Sequence, residues 1–286
     1  MKIWVTGESG FIAQNLTERW SRNEKHIVLN SLSEPSFDYW RNSITAGRKK
    51  EINIFDPTLK KLISNADPDL IIHAAALTDK RLCEESPDLA THINVDGTVQ
   101  ICKIAKTLNI PVLFLSSSDA HVTKQCGTSI YAITKRAAEE MAQYFSSGNK
   151  TIVLPQLFGK YDLNGDISKL FVSLNSTKDF EEIDVDPENI KNYLYIEEAV
   201  EAIEKFIEDF TKLPSRVFVP GARFTFEEIL NYCVDFLGIV PCYELRPEFD
   251  TIKIVEPYGS NREEDKKKIW EHLGEMKALY DNKRTD

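Results

Sequence analysis

From Lys2 to Leu154, short apolar runs alternate with stretches of helical periodicity, and this alternation constrains the fold more than any other feature of the chain. The pattern predicts strands over Lys2–Thr6, His26–Asn30, Leu70–Ala75, Val112–Ser116 and Thr151–Leu154. Between them it predicts helices over Phe11–Arg22, Pro57–Asn65 (capped by Asp56), Pro87–Leu108 and Tyr131–Phe145. Strands that each give way to a helix pair in parallel, with helices on both faces. The expected fold class is α/β with a doubly wound parallel sheet. Past Gly159 the pattern changes. The polar, irregular stretch Asp162–Glu188 leads to a helix over Ile196–Phe210, a strand over Arg216–Val219, a helix over Phe226–Leu237 and a small charged helix over Lys266–Leu273. Residues 1–159 are expected to form a nucleotide-binding domain to which segments near 192–220 return. Residues 160–286 mainly form a smaller C-terminal substrate-binding lobe, built from loops at the carboxyl ends of the strands. Ser31–Lys50 reads as a long loop.

The turn after the first strand carries the first functional signal. Ile3-Trp4-Val5 runs into Thr6-Gly7-Glu8-Ser9-Gly10-Phe11-Ile12-Ala13. A buried strand that must reverse into a helix, with its first N–H groups aimed at a pyrophosphate, tolerates only small residues at the turn. Gly7 suits the tight turn, Gly10 lets the backbone approach phosphates, and Ala13 sits where helix packs on strand. Ser9, Phe11 and Ile12 complete this candidate cofactor segment of a Rossmann-type sheet.

A second constellation carries chemistry. Tyr131-Ala-Ile-Thr-Lys135 opens a helix thirteen residues after the triplet Ser116-Ser117-Ser118, which ends a strand. Residues four apart share a helix face, so Lys135 lies beside Tyr131. A neighbouring ammonium is expected to lower the phenol pKa and make Tyr131 a usable proton donor or acceptor. A serine hydroxyl opposite can hold a carbonyl or alcohol oxygen, and the set forms a proton relay for hydride transfer to or from nicotinamide.

Composition removes other classes. The 286 residues can bury a sizeable core, and 42% hydrophobic with 28% charged residues is ordinary for a soluble domain. No run approaches a membrane span, and the chain opens directly into a strand, so a cytoplasmic protein is expected. A net charge of −10 argues against a nucleic-acid partner, and Lys266-Lys267-Lys268 reads as a solvated helix face. Cys83, Cys102, Cys126, Cys233 and Cys242 lack Cys-x-x-Cys spacing, which suits reduced thiols and no metal site. A homodimer is the default assembly.

Taken in order, these segments resemble the extended short-chain dehydrogenase/reductase family, the NAD-dependent epimerases and dehydratases, over nearly the whole chain. Beside the glycine turn, His73-Ala74-Ala75-Ala76 is similar to the strand end beneath the cofactor, Asn94-Val95-Asp96-Gly97-Thr98 to the family's Asn-Val-x-Gly-Thr, and Leu157-Phe158-Gly159 to its Val-Tyr-Gly. Asn192–Ala199 resembles the family's segment at the substrate lobe. The resemblance implies cofactor contacts at Gly7, Ser9, Gly10, Phe11, Ile12, Asn30, Asn53, Ile54, Ala74, Ala75, Ala76, Thr78, Asn94, Ser116, Tyr131, Lys135, Pro155 and Leu157. Ala74–Asp79 followed by Cys83–Ala90 is most similar to the dTDP-4-dehydrorhamnose reductase branch, which reduces the 4-keto group of a nucleotide-linked 6-deoxysugar. By that likeness Tyr131 is the proton donor, Lys135 orients the nicotinamide ribose and tunes Tyr131, and Ser118 bonds the sugar oxygen, with Ser117 as its substitute.

Several positions depart from the branch. Ser117-Ser118-Asp119-Ala120-His121-Val122 stands for Ser-Thr-Asp-Tyr-Val-Phe, the stretch from Ser118 to Tyr131 is shorter than in extended members, and Val153-Leu154-Pro155-Gln156 lacks the usual arginine. Ala120 stands where dehydratases carry glutamate and where GDP-fucose synthase carries a nearby cysteine, which disfavours dehydration and combined epimerisation. Gln156, His121, Lys191 and Arg223 are candidates for the substrate lining, although a loop histidine and a strand-end His73 are more often satisfied structural residues. Neutral Asn30 at the end of the second strand, followed by Arg41, Arg48 and Lys49, favours NADP(H), with NAD(H) as the other candidate. Two other functions share these residues: a nucleotide-sugar 4-epimerase that retains NAD, and a non-catalytic NADP-binding regulatory subunit.

Overall fold

A computed structural model describes residues 1–23, 26–28, 53–121, 129–162, 165–168, 190–237 and 262–281 of the chain. The described residues divide between two compact units, one from Met1–His121, Ser129–Val153 and Val200–Phe218, the other from Leu154–Ala199 and Val219–Asp286.

The first unit is built on a six-stranded sheet. Its strands are β1 (Lys2–Thr6), β2 (Ile27–Val28), β3 (Leu70–His73), β4 (Val112–Ser117), β5 (Lys150–Leu154) and β8 (Arg216–Phe218), in the order β2-β1-β3-β4-β5-β8. β1 pairs in parallel with both β2 and β3, β3 with β4, and β5 with β8. Ile3, Trp4 and Val5, then Leu70, Ile71 and Ile72, are all buried, as strands covered on both faces require. The chain leaves β1 toward β2 and returns to the other side at β3, so the order reverses at β1. The carboxyl ends of β1 and β3 therefore flank a topological switch point, where such sheets bind ligands.

Helices α1 (Phe11–Asn23), α2 (Leu59–Ala66), α3 (Lys80–Glu85), α4 (Pro87–Thr91), α5 (Gly97–Leu108) and α6 (Ile130–Phe145) belong to this unit. Leu59 and Ile63 of α2 and Ile101 and Ile104 of α5 cluster on Trp4, Ile71 and Val112. Cys102 of α5 meets Phe114 of β4 and Ala138 and Ala142 of α6.

Most predicted elements stand within a residue or two of their expected bounds, and the exceptions have physical causes. Asp56 does not cap a helix starting at Pro57. Its Oδ1 accepts from the Thr58 N–H at 2.7 Å and the Thr58 hydroxyl at 2.6 Å, a turn that delays α2 to Leu59. The strand predicted to reach Ala75 ends at His73. The helix predicted over Pro87–Leu108 is interrupted by a π-helical turn, His92–Asp96, between α4 and α5.

In the second unit β6 (Gln156–Phe158) runs parallel to β7 (Ile190–Tyr195), and β9 (Ala222–Thr225) pairs antiparallel on the far side of β7. Helix α7 (Ile196–Glu208) follows β7 and passes into the first unit from Val200 on, while α8 (Phe226–Leu237) follows β9 in the second. The final helix, predicted over Lys266–Leu273, is instead the nineteen-residue α9 (Glu263–Asp281). Buried Ile269, Leu273 and Met276 recur on one face beyond the charged run, so burial extends it. Tyr232 and Phe224 both pack on Trp270. Among the described residues no helix is long and apolar enough to cross a membrane.

Candidate active site

Gly7 has φ +70°, a conformation that disfavours side chains, and a Cβ there would lie 2.8 Å from the Ala75 Cα and 2.9 Å from its N. The turn closes with the Gly10 N–H donating to the Gly7 carbonyl at 2.8 Å, and α1 starts at Phe11. Gln14 reaches back to donate to the Ser9 carbonyl at 2.6 Å. These residues fit a dinucleotide: the backbone is bare, and the first N–H groups of a thirteen-residue helix open at the switch point.

Behind this cradle runs a buried polar chain with one consistent proton assignment. The Ala75 N–H donates to the Thr6 hydroxyl at 3.2 Å, and Thr6 Oγ1 is 2.7 Å from His73 Nδ1. On the other side His73 Nε2 is 3.0 Å from Thr98 Oγ1, whose proton goes to the Asn94 carbonyl at 2.6 Å. Thr98 must therefore accept from Nε2–H, so Nδ1 accepts from Thr6. Burial, then the nearby Lys135, push the imidazole down to about 3, and His73 stays neutral. It is a satisfied structural residue.

Asn94, on the π-helical turn, is almost wholly buried and engaged by protein. Its Oδ1 accepts from the Leu77 N–H at 2.7 Å, while Nδ2 donates to the Leu77 carbonyl at 3.1 Å and to Thr134 Oγ1 at 3.0 Å. The residue thus ties the segment holding Ala74, Ala75, Ala76 and Thr78 to helix α6. Asn53 Oδ1 accepts from the Phe55 N–H at 2.9 Å, and Ile54 occupies the space beside Gly97 that a Cβ would fill.

Helix α6 begins where Ser129 Oγ accepts from the Ala132 N–H at 3.1 Å. This places Tyr131 and Lys135 on the buried face. Ser117, the last residue of β4, acts on the Tyr131 phenol, while Ser118 begins the 3₁₀ turn Ser118–His121. Ser116 turns the other way and donates to Glu139 at 2.6 Å.

The expected lowering of the phenol by Lys135 is not found. Burial pushes Tyr131 up to about 12, reinforced by the Asp119 carboxylate, while the Ser117 bond and the Lys80 cation pull down. Lys80 and Asp119 are themselves paired at 2.7 Å. The Lys135 ammonium instead donates to the Leu115 carbonyl at 2.7 Å and lies 4.4 Å from the centre of the Phe114 ring. Burial brings Lys135 down to about 8, and Glu139 opposes that fall.

Sequence reasoning missed the group around Glu139. Its carboxylate accepts from Ser116, pairs with His121 Nε2 at 3.0 Å and pairs with Arg216 of β8. His121 is therefore turned inward, edge-on to Phe218 at 5.0 Å. The available signal was the run Tyr131, Lys135, Glu139 at successive helical turns on the face that also buries Ala138 and Ala142.

Pro155, Gln156, Leu157, Lys191 and Arg223 belong to the second unit. Lys191 pairs with Asp166 at 2.5 Å, and Arg223 lies opposite Asn192 in the β7–β9 register. A cavity of about 180 Å³ in this unit is lined by Tyr193, Glu198, Gly221, Arg262 and Lys268 and contains none of the predicted site residues. Asn30, Arg41, Arg48, Lys49, Cys126, Cys242 and the stretch 122–128 lie outside the described residues. Cys83, Cys102 and Cys233 are buried thiols, and no metal-binding group occurs among the described residues.

Residues 3–221 match the model of the NAD dependent epimerase/dehydratase family. The chain belongs to that family. GDP-L-colitose synthase of Yersinia pseudotuberculosis is 22% identical over 270 residues, covering 83% of this chain and 82% of that protein. Among solved structures, UDP-glucose 4-epimerase of Thermotoga maritima, determined with UDP-glucose, superposes with a TM-score of 0.76 at 19% identity and covers 100% of both chains. A hypothetical dTDP-4-dehydrorhamnose reductase from Sulfolobus tokodaii gives 0.66 at 19% identity, covering 93% of this chain and 94% of that one. The fold is thus one shared by epimerases and reductases.

Proposed function

We propose that the protein reduces the 4-keto group of a nucleotide-linked 6-deoxysugar, with NADP(H) as the preferred nicotinamide cofactor. The reading rests first on one observation: α6 buries Tyr131 and Lys135 on one face beside the carboxyl end of β4, where Ser117 acts on the Tyr131 phenol and burial holds that phenol neutral. A neutral phenol is the acid that a carbonyl reduction needs, since the oxygen gains a proton as the carbon gains hydride. When bound, the nicotinamide supplies that hydride. Ser117 holds the substrate oxygen beside Tyr131, and Tyr131 delivers its proton to it, leaving an alcohol. The Asp119 carboxylate disfavours the phenolate that remains, so it is readily reprotonated. Lys135 lies one helical turn away to bind the cofactor ribose.

The nucleotide-sugar class is supported by relatives such as GDP-L-colitose synthase, whose likeness spans most of the chain. The 4-keto reductase branch is supported by the Ala74–Asp79 and Cys83–Ala90 segments, and the NADP(H) preference by neutral Asn30. The test is NADPH oxidation against a panel of nucleotide 4-keto-6-deoxysugars, with Tyr131→Phe as control. Turnover that falls at least about 100-fold in the variant, with cofactor binding retained, is the expected result. NAD that stays bound through purification, with sugar interconversion and no net oxidation, would replace this reading with a 4-epimerase. Undiminished reduction by Tyr131→Phe would refute the proton relay.

A further inference from the structure

Two ionisable side chains on helix α6 are buried one turn apart: Lys135 is 5% exposed and Glu139 is 1% exposed. Lys135 spends a hydrogen bond on a neutral carbonyl, that of Leu115. A buried ammonium whose bonded partner is uncharged is costly unless a counter-charge lies close, and position i+4 on a helix supplies one. Consecutive β4 residues divide between the two groups, the Leu115 carbonyl going to Lys135 and the Ser116 hydroxyl to Glu139. Glu139 is also fixed from two further elements, by His121 in the 3₁₀ turn and by Arg216 in β8. Arg216 in turn reaches the exposed Glu140 at 3.2 Å.

We propose that Glu139 is a positioning residue for the relay, the fixed counter-charge that keeps Lys135 an ammonium inside the protein, and that Ser116, His121 and Arg216 exist around it to hold that carboxylate ionised and in place. It acts through Lys135 and touches neither substrate nor cofactor. The inference builds on the assignment of Lys135 to the relay in the proposed reductase.

The groups facing the pair leave few other sources of charge. Lys135 is faced by Tyr131 and Glu139 from its own helix, by neutral His73 from β3 and by the Leu115 carbonyl from β4. Glu139 is faced by Ser116, His121 and Arg216; against burial, the hydrogen bonds of His121 and Ser116, then the Arg216 cation, hold it below the usual carboxylate range.

The two explanations for Glu139, counter-charge and mere structural clamp, move Lys135 in opposite directions. Losing a counter-charge makes the buried ammonium harder to keep. Losing a clamp lets water in and returns the lysine toward its ordinary value near 10.5. The experiment needs no substrate. Protein labelled with ¹³C at lysine Cε is titrated by NMR without ligand, and the Lys135 resonance is identified by its loss in Lys135→Met. The midpoint, about 8 in the native protein, is expected to fall to roughly 7 or below in Glu139→Gln. A midpoint that stays put or rises overturns the proposal. Arg216→Met provides an independent arm should Glu139→Gln not fold. It takes away a cation that holds the carboxylate ionised and in place, so the Lys135 midpoint should fall, and an unchanged or higher midpoint overturns the proposal. If these shifts appear while no keto-sugar is reduced, the proposed reaction fails and the role of Glu139 stands.

Discussion

His73 should make this fold acid-sensitive well above the range where carboxylates titrate. In the native state the imidazole is neutral, with its value pushed down to about 3 by burial and by Lys135. In the unfolded chain it titrates near 6.5. Below 6.5 the unfolded state therefore binds a proton that the native state refuses, so stability is fully present above that pH and declines as pH falls toward 3. Between pH 7 and pH 5 the unfolded His73 becomes almost wholly protonated while the native one does not, a linkage loss of about 2 kcal/mol. That is a large share of a typical net stability of roughly 5–15 kcal/mol. The assay is urea unfolding followed by circular dichroism at pH 7 and pH 5, on native protein and on His73→Gln. At pH 7 the variant should be the weaker by about 1–3 kcal/mol, because Thr6 and Thr98 lose well-placed partners. It should also lose about 2 kcal/mol less than the native protein on going to pH 5, so the two stabilities converge as the solution is acidified. Equal losses in the two proteins would show that His73 is not the group that resists protonation, and would refute the proton assignment of the Thr6–His73–Thr98 chain.

Gly7→Ala forces a side chain into positive φ against the Ala75 backbone, and the expected outcome is cofactor affinity weakened at least about 10-fold, with a fold destabilised by roughly 1–3 kcal/mol. Titration of intrinsic fluorescence with NADPH and with NADH checks the first part and also ranks the two cofactors. Ser117→Ala should cost more turnover than Ser118→Ala, by about 10-fold or more, because Ser117 is the hydroxyl that acts on the Tyr131 phenol. A larger loss in Ser118→Ala, measured as kcat on the same keto-sugar, would reverse that assignment.

Strands β1, β3, β4 and β5 were legible because each is an apolar run buried along most of its length, and the glycine turn because only bare backbone fits against Ala75. Resolution by sequence stopped where one residue of phase decides. The π-helical turn at His92–Asp96 adds a residue to a helix whose apolar period continues across it, so periodicity reads through the interruption. The serine triplet poses the same difficulty in a strand. Side chains alternate along β4, and whether Ser117 or Ser118 meets Tyr131 depends on where the strand gives way to the 3₁₀ turn, a boundary no local pattern fixes. The tuning of Tyr131 was missed for a different reason. Spacing places Lys135 beside the phenol, but it cannot show that burial outweighs any nearby charge, or that Lys80 and Asp119, 39 residues apart in sequence, converge there.

Many polar side chains are buried behind the glycine turn, among them Thr6, His73, Asn94, Thr98 and Thr134. Gly7 and Gly10 provide no side chains to hold the turn, and Gly7 packs against the segment after β3 at Ala75. That segment is fixed by Ala75 to Thr6, by Thr6 through His73 and Thr98 to the Asn94 backbone, and by the Asn94 side chain to Leu77 and Thr134. The last bond ends on the helix that carries Tyr131 and Lys135. Each donor in this chain has an acceptor, and a fully satisfied buried network rigidifies its surroundings where a half-satisfied one would destabilise them. The glycine turn and the helix face that carries Tyr131 and Lys135 are thus linked through side chains such as His73 and Thr98. The π-helical turn is where Asn94 is set between Leu77 and Thr134, so it joins the segment after β3 to helix α6.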